Sequence, residues 1–176
     1  AEIAPERVGH IVSIGAAHRP HSLATAWRWI QRHVAAFDAD GHGLALARAL
    51  AMTTYRSDRE LDARFADDPN ALESWLEHHG NAFTERFTPG EFIALSSAID
   101  RHRVHPESIT VPTTLIGFDS DLLVPPWLID ELVERLPKAR RVELSSPYGH
   151  DAFLKEVEAL SPILERTLQH DCEVAA

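Results

Sequence analysis

The chain has 176 residues, of which 44% are hydrophobic and 25% are charged, and its formal net charge is −10. This composition excludes intrinsic disorder, and the acidic balance without a basic stripe excludes a nucleic-acid-binding surface. The longest apolar runs stop far short of the roughly 20 residues that a membrane-spanning helix needs, so no membrane segment is expected. The single cysteine, Cys172, excludes an internal disulfide and favours a cytoplasmic location.

Three short apolar runs bounded by turn residues predict buried strands over Val8–Gly15, Val111–Phe118 and Arg141–Leu144. Apolar residues at helical spacing predict a helix over Pro125–Leu136, between the second and third strands, and another over Ala152–Leu168. The resulting β-α-β-α order is typical of an α/β protein, in which helices cover a parallel sheet.

The stretch between the first two strands has a different composition, rich in Ala, Leu, Glu and Arg. Its patterns predict helices over Ser22–Phe37, Gly43–Tyr55, Asp58–Phe65, Asn70–Arg86 and Pro89–Ile99, with Ser22, Asp58, Asn70 and Thr88 as N-caps. We interpret residues 18–105 as a helical lid domain inserted into an α/β core formed by residues 1–17 and 106–176. Such a lid would lie over the carboxyl ends of the strands, where open α/β sheets bind ligands.

The chain begins with Ala1, and its only methionine is Met52. Three strands are also few for a sheet that carries so large an insertion. Both observations predict that the sequence is a piece of a longer product whose remaining strands precede Ala1. The alternative is the simple loss of an initiator methionine.

Acidic residues and a histidine follow neighbouring strands at the positions where α/β enzymes hold catalytic groups. Asp119 and Asp121 come directly after the second strand, and His150 follows the third. A carboxylate that orients an imidazole is the base half of a nucleophilic triad, and an acid followed by a histidine is the chain order of α/β-hydrolase triads. The alternative for the acids is capping of the helix that begins near Pro125.

The nucleophile of such a triad is missing from the sequence. No serine lies in a G-x-S-x-G elbow, and Cys172 belongs to a polar tail that does not favour a reactive thiolate. In α/β-hydrolase order the serine precedes the strands seen here, so we expect it upstream of Ala1.

The sequence resembles the homoserine O-acyltransferases of the α/β-hydrolase fold, with their serine O-acyltransferase relatives. The matching segments are Gly43–Arg48 running into Thr53–Ser57, Asp119–Leu123, and Tyr148–Leu154. The resemblance implies the carboxy-terminal part of an α/β-hydrolase fold, in which Asp121 orients His150 and His150 activates a serine outside this chain. It further implies acetyl-CoA or succinyl-CoA as acyl donor, the hydroxyl of homoserine as acceptor in methionine biosynthesis, and a homodimer formed through the lid.

Arg48 is the sole charged residue of the predicted helix Gly43–Tyr55, and a guanidinium among apolar residues needs an anion. Tyr55 lies seven residues further on, two helical turns away, and so projects from the same face. The alternative is that Arg48 pairs with an acid of the lid such as Glu73 or Asp62. The resemblance implies instead that Arg48 binds the substrate carboxylate with Tyr55 nearby, while Asp151 faces the substrate ammonium group.

Close histidine pairs occur at positions 18/21, 78/79 and 102/105, but no cysteine or H-E-x-x-H motif accompanies them, so no metal site and no permanently bound cofactor is expected. Trp127 follows the acidic loop and is expected at the mouth of the site. Three other functions remain open: a serine O-acyltransferase, a plain α/β-hydrolase esterase, and a helical interaction module without catalysis.

Overall fold

The computed structural model describes residues 1–37 and 42–174, with side chains described as far as residue 167. The chain divides into two compact units. A sheet unit comprises Ala1–Arg19 and Arg103–Ala176, and a helical unit comprises Pro20–His102. The three strands of the described residues all belong to the sheet unit.

The sheet contains three parallel strands in the order β1 (Ile11–Ile14), β2 (Thr113–Phe118) and β3 (Ala139–Leu144), which confirms the predicted parallel arrangement. β2 is the central strand, and all six of its residues are buried. The first two strands begin two or three residues later than predicted. Pro112 accepts a hydrogen bond from the Ile11 N–H but has no N–H of its own to extend the ladder.

Helices α6 (Pro126–Arg135) and α8 (Val157–Val174) cover different faces of the sheet. Leu115 packs with Ile129 and Leu132 of α6. The adjacent Ile116 packs with Leu160 and Ile163 of α8. Because successive side chains of a strand point to opposite faces, β2 contributes to both cores.

The single helix predicted over Ala152–Leu168 is in fact two, α7 (Ala152–Lys155) and α8. They are separated at Glu156, whose backbone leaves the helical region with φ −91° and ψ 46°. A short 3-10 helix, Gly149–Asp151, precedes α7, and others lie at Pro5–Arg7 and Pro106–Ser108.

The helical unit contains five helices among its described residues: α1 (Ser22–Ala36), α2 (His42–Tyr55), α3 (Asp58–Phe65), α4 (Pro69–Thr84) and α5 (Pro89–Asp100). Their bounds agree with the sequence prediction to within two residues. The core joins Ala35 of α1 to Leu44 and Ala47 of α2, with Phe83, Phe87 and Phe92 packed around them. Helices α2 and α4 approach closely at Gly80, where a Cβ would lie 2.6 Å from the carbonyl oxygen of Ala45.

Of the four predicted N-caps, only Thr88 is confirmed, and it forms a capping box with Glu91. The caps predicted at Ser22, Asp58 and Asn70 are wrong, because His21, Ser57 and Asp68 hold those positions. Ser57 accepts the Glu60 N–H, and Asp68 accepts the Ala71 N–H, so at α3 and α4 an earlier polar residue satisfies the helix end. No helix among the described residues has both the length and the apolar composition to cross a bilayer.

Candidate active site

Asp121 lies in the loop after β2 and is almost completely buried, with 2% of its surface exposed. Its Oδ1 accepts hydrogen bonds from the backbone N–H groups of Leu123 and Val124, at 2.8 and 2.9 Å. These two donors fix the plane of the carboxylate and aim Oδ2 away from the loop. Asp121 therefore has one oxygen committed to the backbone and one that faces a neighbouring element.

That neighbour is His150, whose Nδ1 lies 2.7 Å from Asp121 Oδ2. His150 is held in the 3-10 helix that follows β3, immediately after Gly149, which adopts a positive φ of 61°. Because an ionised carboxylate only accepts hydrogen bonds, the pairing assigns the proton to Nδ1 and leaves the basic lone pair on Nε2. This arrangement suits a general base, and the imidazole is partly exposed while the carboxylate behind it is buried.

A third strand end reaches the same pair. Gly15 directly follows β1 and has a φ of 55°, a left-handed conformation that favours glycine. A Cβ built on Gly15 would lie 3.7 Å from His150 Cε1 and 3.8 Å from Asp121 Oδ2. The ends of all three parallel strands thus meet around one histidine, as expected for an α/β sheet site.

The other acid of the loop, Asp119, has a different role. Its carboxylate accepts the Ser145 hydroxyl at 2.7 Å and the Ser146 N–H at 3.0 Å, both in the loop after β3. These hydrogen bonds hold the pKa of Asp119 below its usual range, because they favour the ionised form. Asp119 therefore ties the two loops together and stays charged at neutral pH.

Asp151 and Phe153 are further neighbours of the histidine within the sheet unit. Asp151 ends the 3-10 helix and occupies the N-cap of α7, without a side-chain hydrogen bond to that helix. The Phe153 ring meets the His150 ring edge-on at 5.9 Å between centroids. Asp121, His150 and Asp151 are thus in one unit, as their positions after neighbouring strands predicted.

Arg48 and Tyr55 lie together in the helical unit. The Arg48 guanidinium carbon is 5.2 Å from the Tyr55 ring centroid and 5.0 Å from that of Phe83. Both distances are within the range of cation–π attraction. The contact with Tyr55 follows from their spacing of two turns on α2, whereas Phe83 comes from α4 and was not foreseen.

Among the described residues, the structure shows no ion pair between Arg48 and either Glu73 or Asp62. Ion pairs that the structure does show in this unit join Asp100 to Arg28 and Arg32, and Glu60 to Arg56 and Arg64. Neighbouring positive charge also affects His79, whose pKa is lowered by burial and, secondarily, by His78, Arg48 and further arginines. Arg48 therefore lies near other positively charged side chains and contacts the rings of Tyr55 and Phe83.

The histidine pairs form no metal centre in the described part of the chain, where no group of three or more His, Cys, Asp or Glu side chains could hold an ion. His18 instead contacts Glu131, with 3.1 Å between Nε2 and Oε1. Trp127 is half exposed on α6, and the Arg19 guanidinium lies 5.7 Å from its ring centroid. The side chain of Cys172 lies outside the described residues.

No family model matches the chain. The homoserine O-succinyltransferase of Xanthomonas campestris pv. campestris is 38% identical over 182 residues, which cover 96% of this chain and 49% of that protein. The chain is a relative of the homoserine O-acyltransferases. The resemblance seen in its motifs is confirmed, and the chain spans about half the length of the curated relatives it matches.

Solved structures show the same fold. The crystal structure of a homoserine O-acetyltransferase from Staphylococcus aureus superposes with a TM-score of 0.79 at 27% identity, covering 96% of this chain and 54% of that one. An α/β-hydrolase enzyme from a deep-sea metagenome, MGS-M2, superposes with a TM-score of 0.75 at 19% identity, covering 92% and 56%. The predicted fold class of the chain, part of an α/β-hydrolase fold with a helical insertion, is therefore confirmed.

Three residues of the site went beyond the sequence prediction: Gly15, Asp119 in its role between the loops, and Ser120. Glycine at the end of a buried strand was the available signal for Gly15. For the other two, the signal was their place beside Asp121 at a strand end.

Proposed function

We propose that this chain is the part of a homoserine O-acyltransferase that carries the general base and its orienting acid. The observation that carries the proposal is the 2.7 Å contact between His150 Nδ1 and the buried Asp121 carboxylate. A pinned carboxylate behind an imidazole keeps the basic lone pair on Nε2, as in a Ser-His-Asp triad. The nucleophilic serine is proposed to lie in a segment outside these 176 residues, since no G-x-S-x-G motif is present.

The proposed reaction is a double displacement. The serine oxygen attacks the thioester carbonyl of acetyl-CoA or succinyl-CoA while His150 Nε2 takes the hydroxyl proton, which then passes to the departing thiolate of CoA. The homoserine hydroxyl next attacks the acyl-serine ester, again giving its proton to His150. That proton returns to the serine oxygen, so the enzyme is regenerated and the acyl group resides on homoserine.

The amino-acid substrate is proposed to be recognised by charge at both ends. Arg48 has aromatic rings as its neighbours and no carboxylate partner among the described residues, so its guanidinium suits a substrate carboxylate. Tyr55 borders that cation, and Asp151, next to His150, is proposed to face the ammonium group. The proposal includes homoserine as acceptor, as in methionine biosynthesis, with serine as the alternative.

The proposed partners are small molecules and the remainder of the enzyme. We include a homodimer formed through the helical unit, as the family resemblance implies, and a cytoplasmic location, as the single cysteine favours. No permanently bound cofactor and no metal takes part in the proposed reaction.

Complementation tests the proposal. The chain is co-expressed with the segment of the Xanthomonas campestris enzyme that it does not cover, and release of the CoA thiol is measured with acetyl-CoA and with succinyl-CoA, with and without homoserine or serine. We expect no transfer by the chain alone and homoserine-dependent thiol release by the complex. Acyl-CoA hydrolysis at the same rate with and without the amino acid would favour the esterase alternative. If the His150→Ala complex keeps its activity, His150 is excluded as the general base.

A third outcome bears on the interaction-module alternative. If the two segments bind each other but neither donor is consumed, and binding is unaffected by His150→Ala, the chain acts through its surfaces alone. Isothermal titration of the two purified segments separates binding from catalysis.

A further inference from the structure

The segment Asp119-Ser120-Asp121 has three adjacent side chains that all reach the loop after β3. Asp119 contacts Ser145 and Ser146, and Asp121 contacts His150. Between them, the Ser120 hydroxyl donates to the Ser146 carbonyl and accepts the Gly149 N–H at 3.0 Å. The Ser120 hydroxyl therefore links Ser146 to Gly149, at the two ends of the segment that leads to His150.

Gly149 is the residue through which Ser120 can act on the histidine. It is buried, it precedes His150 directly, and its φ of 61° turns the backbone into the 3-10 helix. Its amide has the Ser120 oxygen as acceptor, and a buried amide without an acceptor is unfavourable. The backbone at Gly149 sets the direction from which the imidazole approaches Asp121.

We propose that Ser120 is a positioning residue, which holds the Gly149 amide and thereby fixes the His150 imidazole against Asp121. This inference rests on the proposed function, because it assigns Ser120 to the same general base. Ser120 itself neither transfers a proton nor forms a bond to the substrate. Its hydroxyl keeps the Nδ1–Oδ2 contact at hydrogen-bond length, and with it the placement of Nε2.

The first test uses the chain by itself and needs no catalysis. In Ser120→Ala, we expect the amide hydrogen of Gly149 to exchange faster, and the Nδ1 proton resonance of His150 to be lost from the downfield region of the NMR spectrum. Ser120→Thr keeps the hydroxyl and should restore both signals. Unchanged exchange at Gly149 and an unchanged Nδ1 proton in Ser120→Ala would overturn the proposal.

The second test uses the complemented enzyme. Ser120→Ala should lower kcat about 10- to 100-fold, the scale that a small misplacement of a catalytic group produces, with KM for homoserine unchanged. Ser161→Ala is the matched control, because the Ser161 hydroxyl also donates to a backbone carbonyl but lies on α8. That control should keep the wild-type kcat. A purely structural role would lower thermal stability without this split between kcat and KM.

The two tests separate failure of the inference from failure of the proposed function. If the wild-type complex is inactive, the proposed function fails while the NMR comparison still decides whether Ser120 positions His150. If the wild-type complex is active and Ser120→Ala has the same kcat, the inference alone is overturned. Should Ser120→Ala not fold, Ser120→Cys replaces it, since sulfur is a weak hydrogen-bond acceptor of similar size.

Discussion

Gly15 is a neighbour of the His150 imidazole, because a Cβ added at residue 15 would lie 3.7 Å from Cε1. This is an ordinary contact distance, which means that the space beside the histidine tolerates a methyl group. The constraint at Gly15 lies in its backbone, because a φ of 55° is unfavourable for residues with a Cβ.

Gly15→Ala is therefore expected to lower the free energy of unfolding by about 1–2 kcal/mol through backbone strain. Chemical denaturation followed by circular dichroism measures the change. Gly9→Ala is the control, because a Cβ at Gly9 meets nothing within 4 Å and its φ lies outside the left-handed region. Equal stability of the two variants would contradict the strain argument.

Gly80→Ala tests the close approach of α2 and α4. The added methyl group would lie 2.6 Å from the Ala45 carbonyl oxygen, which belongs to a helix backbone and cannot move independently. We expect a loss of about 1–3 kcal/mol in the free energy of unfolding, seen as a lower melting temperature. Gly90→Ala in α5 meets nothing within 4 Å and is expected to be neutral or slightly stabilising.

Asp100 joins α5 to α1 through Arg28 and Arg32, with both nitrogen–oxygen distances at 2.6 Å. All three side chains are about 85% buried or more, so Asp100→Asn should cost about 3 kcal/mol at neutral pH. Glu107→Gln is the contrast, because Glu107 pairs with Arg135 at an exposed position, so its loss should destabilise the protein much less. Urea titration of each variant measures the difference.

The same carboxylate predicts a dependence on pH. Burial raises the pKa of Asp100, but hydrogen bonds from Arg28 and Arg32 outweigh it and hold the pKa below the usual value. Its stabilising effect is therefore complete above the unfolded pKa, about 3.9, and is lost as the pH falls through the folded pKa. The stability difference between wild type and Asp100→Asn should be constant above about pH 5 and narrow below about pH 4. A difference that grows on acidification would refute the assignment.

Asp121→Asn tests the orienting acid in the complemented enzyme. An amide in place of the carboxylate can donate to Nδ1 and so favours the wrong imidazole tautomer, and the same change in serine-protease triads lowers kcat about 10⁴-fold. We expect a comparable loss, measured by CoA thiol release. Asp119→Asn retains an acceptor oxygen for Ser146 and should lower kcat much less.

Arg48→Ala tests substrate recognition. If the guanidinium binds the substrate carboxylate, KM for homoserine should rise about 10- to 100-fold, the range for a charged hydrogen bond. Arg59→Ala removes an exposed arginine from the same unit and should leave KM unchanged. Under the esterase alternative, Arg48→Ala would hydrolyse acyl-CoA or ester substrates as fast as the wild type.

The sequence by itself determined most of the elements and the strand ends at which the candidate site lies. Hydrophobic periodicity and turn residues located every helix of the described insert and the three strands of the described residues, because hydrophobic spacing reflects which face of an element is buried. Strand ends also located the acidic loop and His150. The exact strand starts and the break at Glu156 escaped prediction, since they depend on pairing partners and on local backbone angles.

Only the tertiary structure decided which side chains meet. From the residues alone, either Asp119 or Asp121 could have served the histidine; the turn after β2 sends Asp121 to His150 and Asp119 to the serines of the next loop. Likewise, the tertiary structure places Arg48 against aromatic rings from two helices. Contacts between residues far apart in the chain depend on how loops and helices pack, and no local pattern encodes that packing.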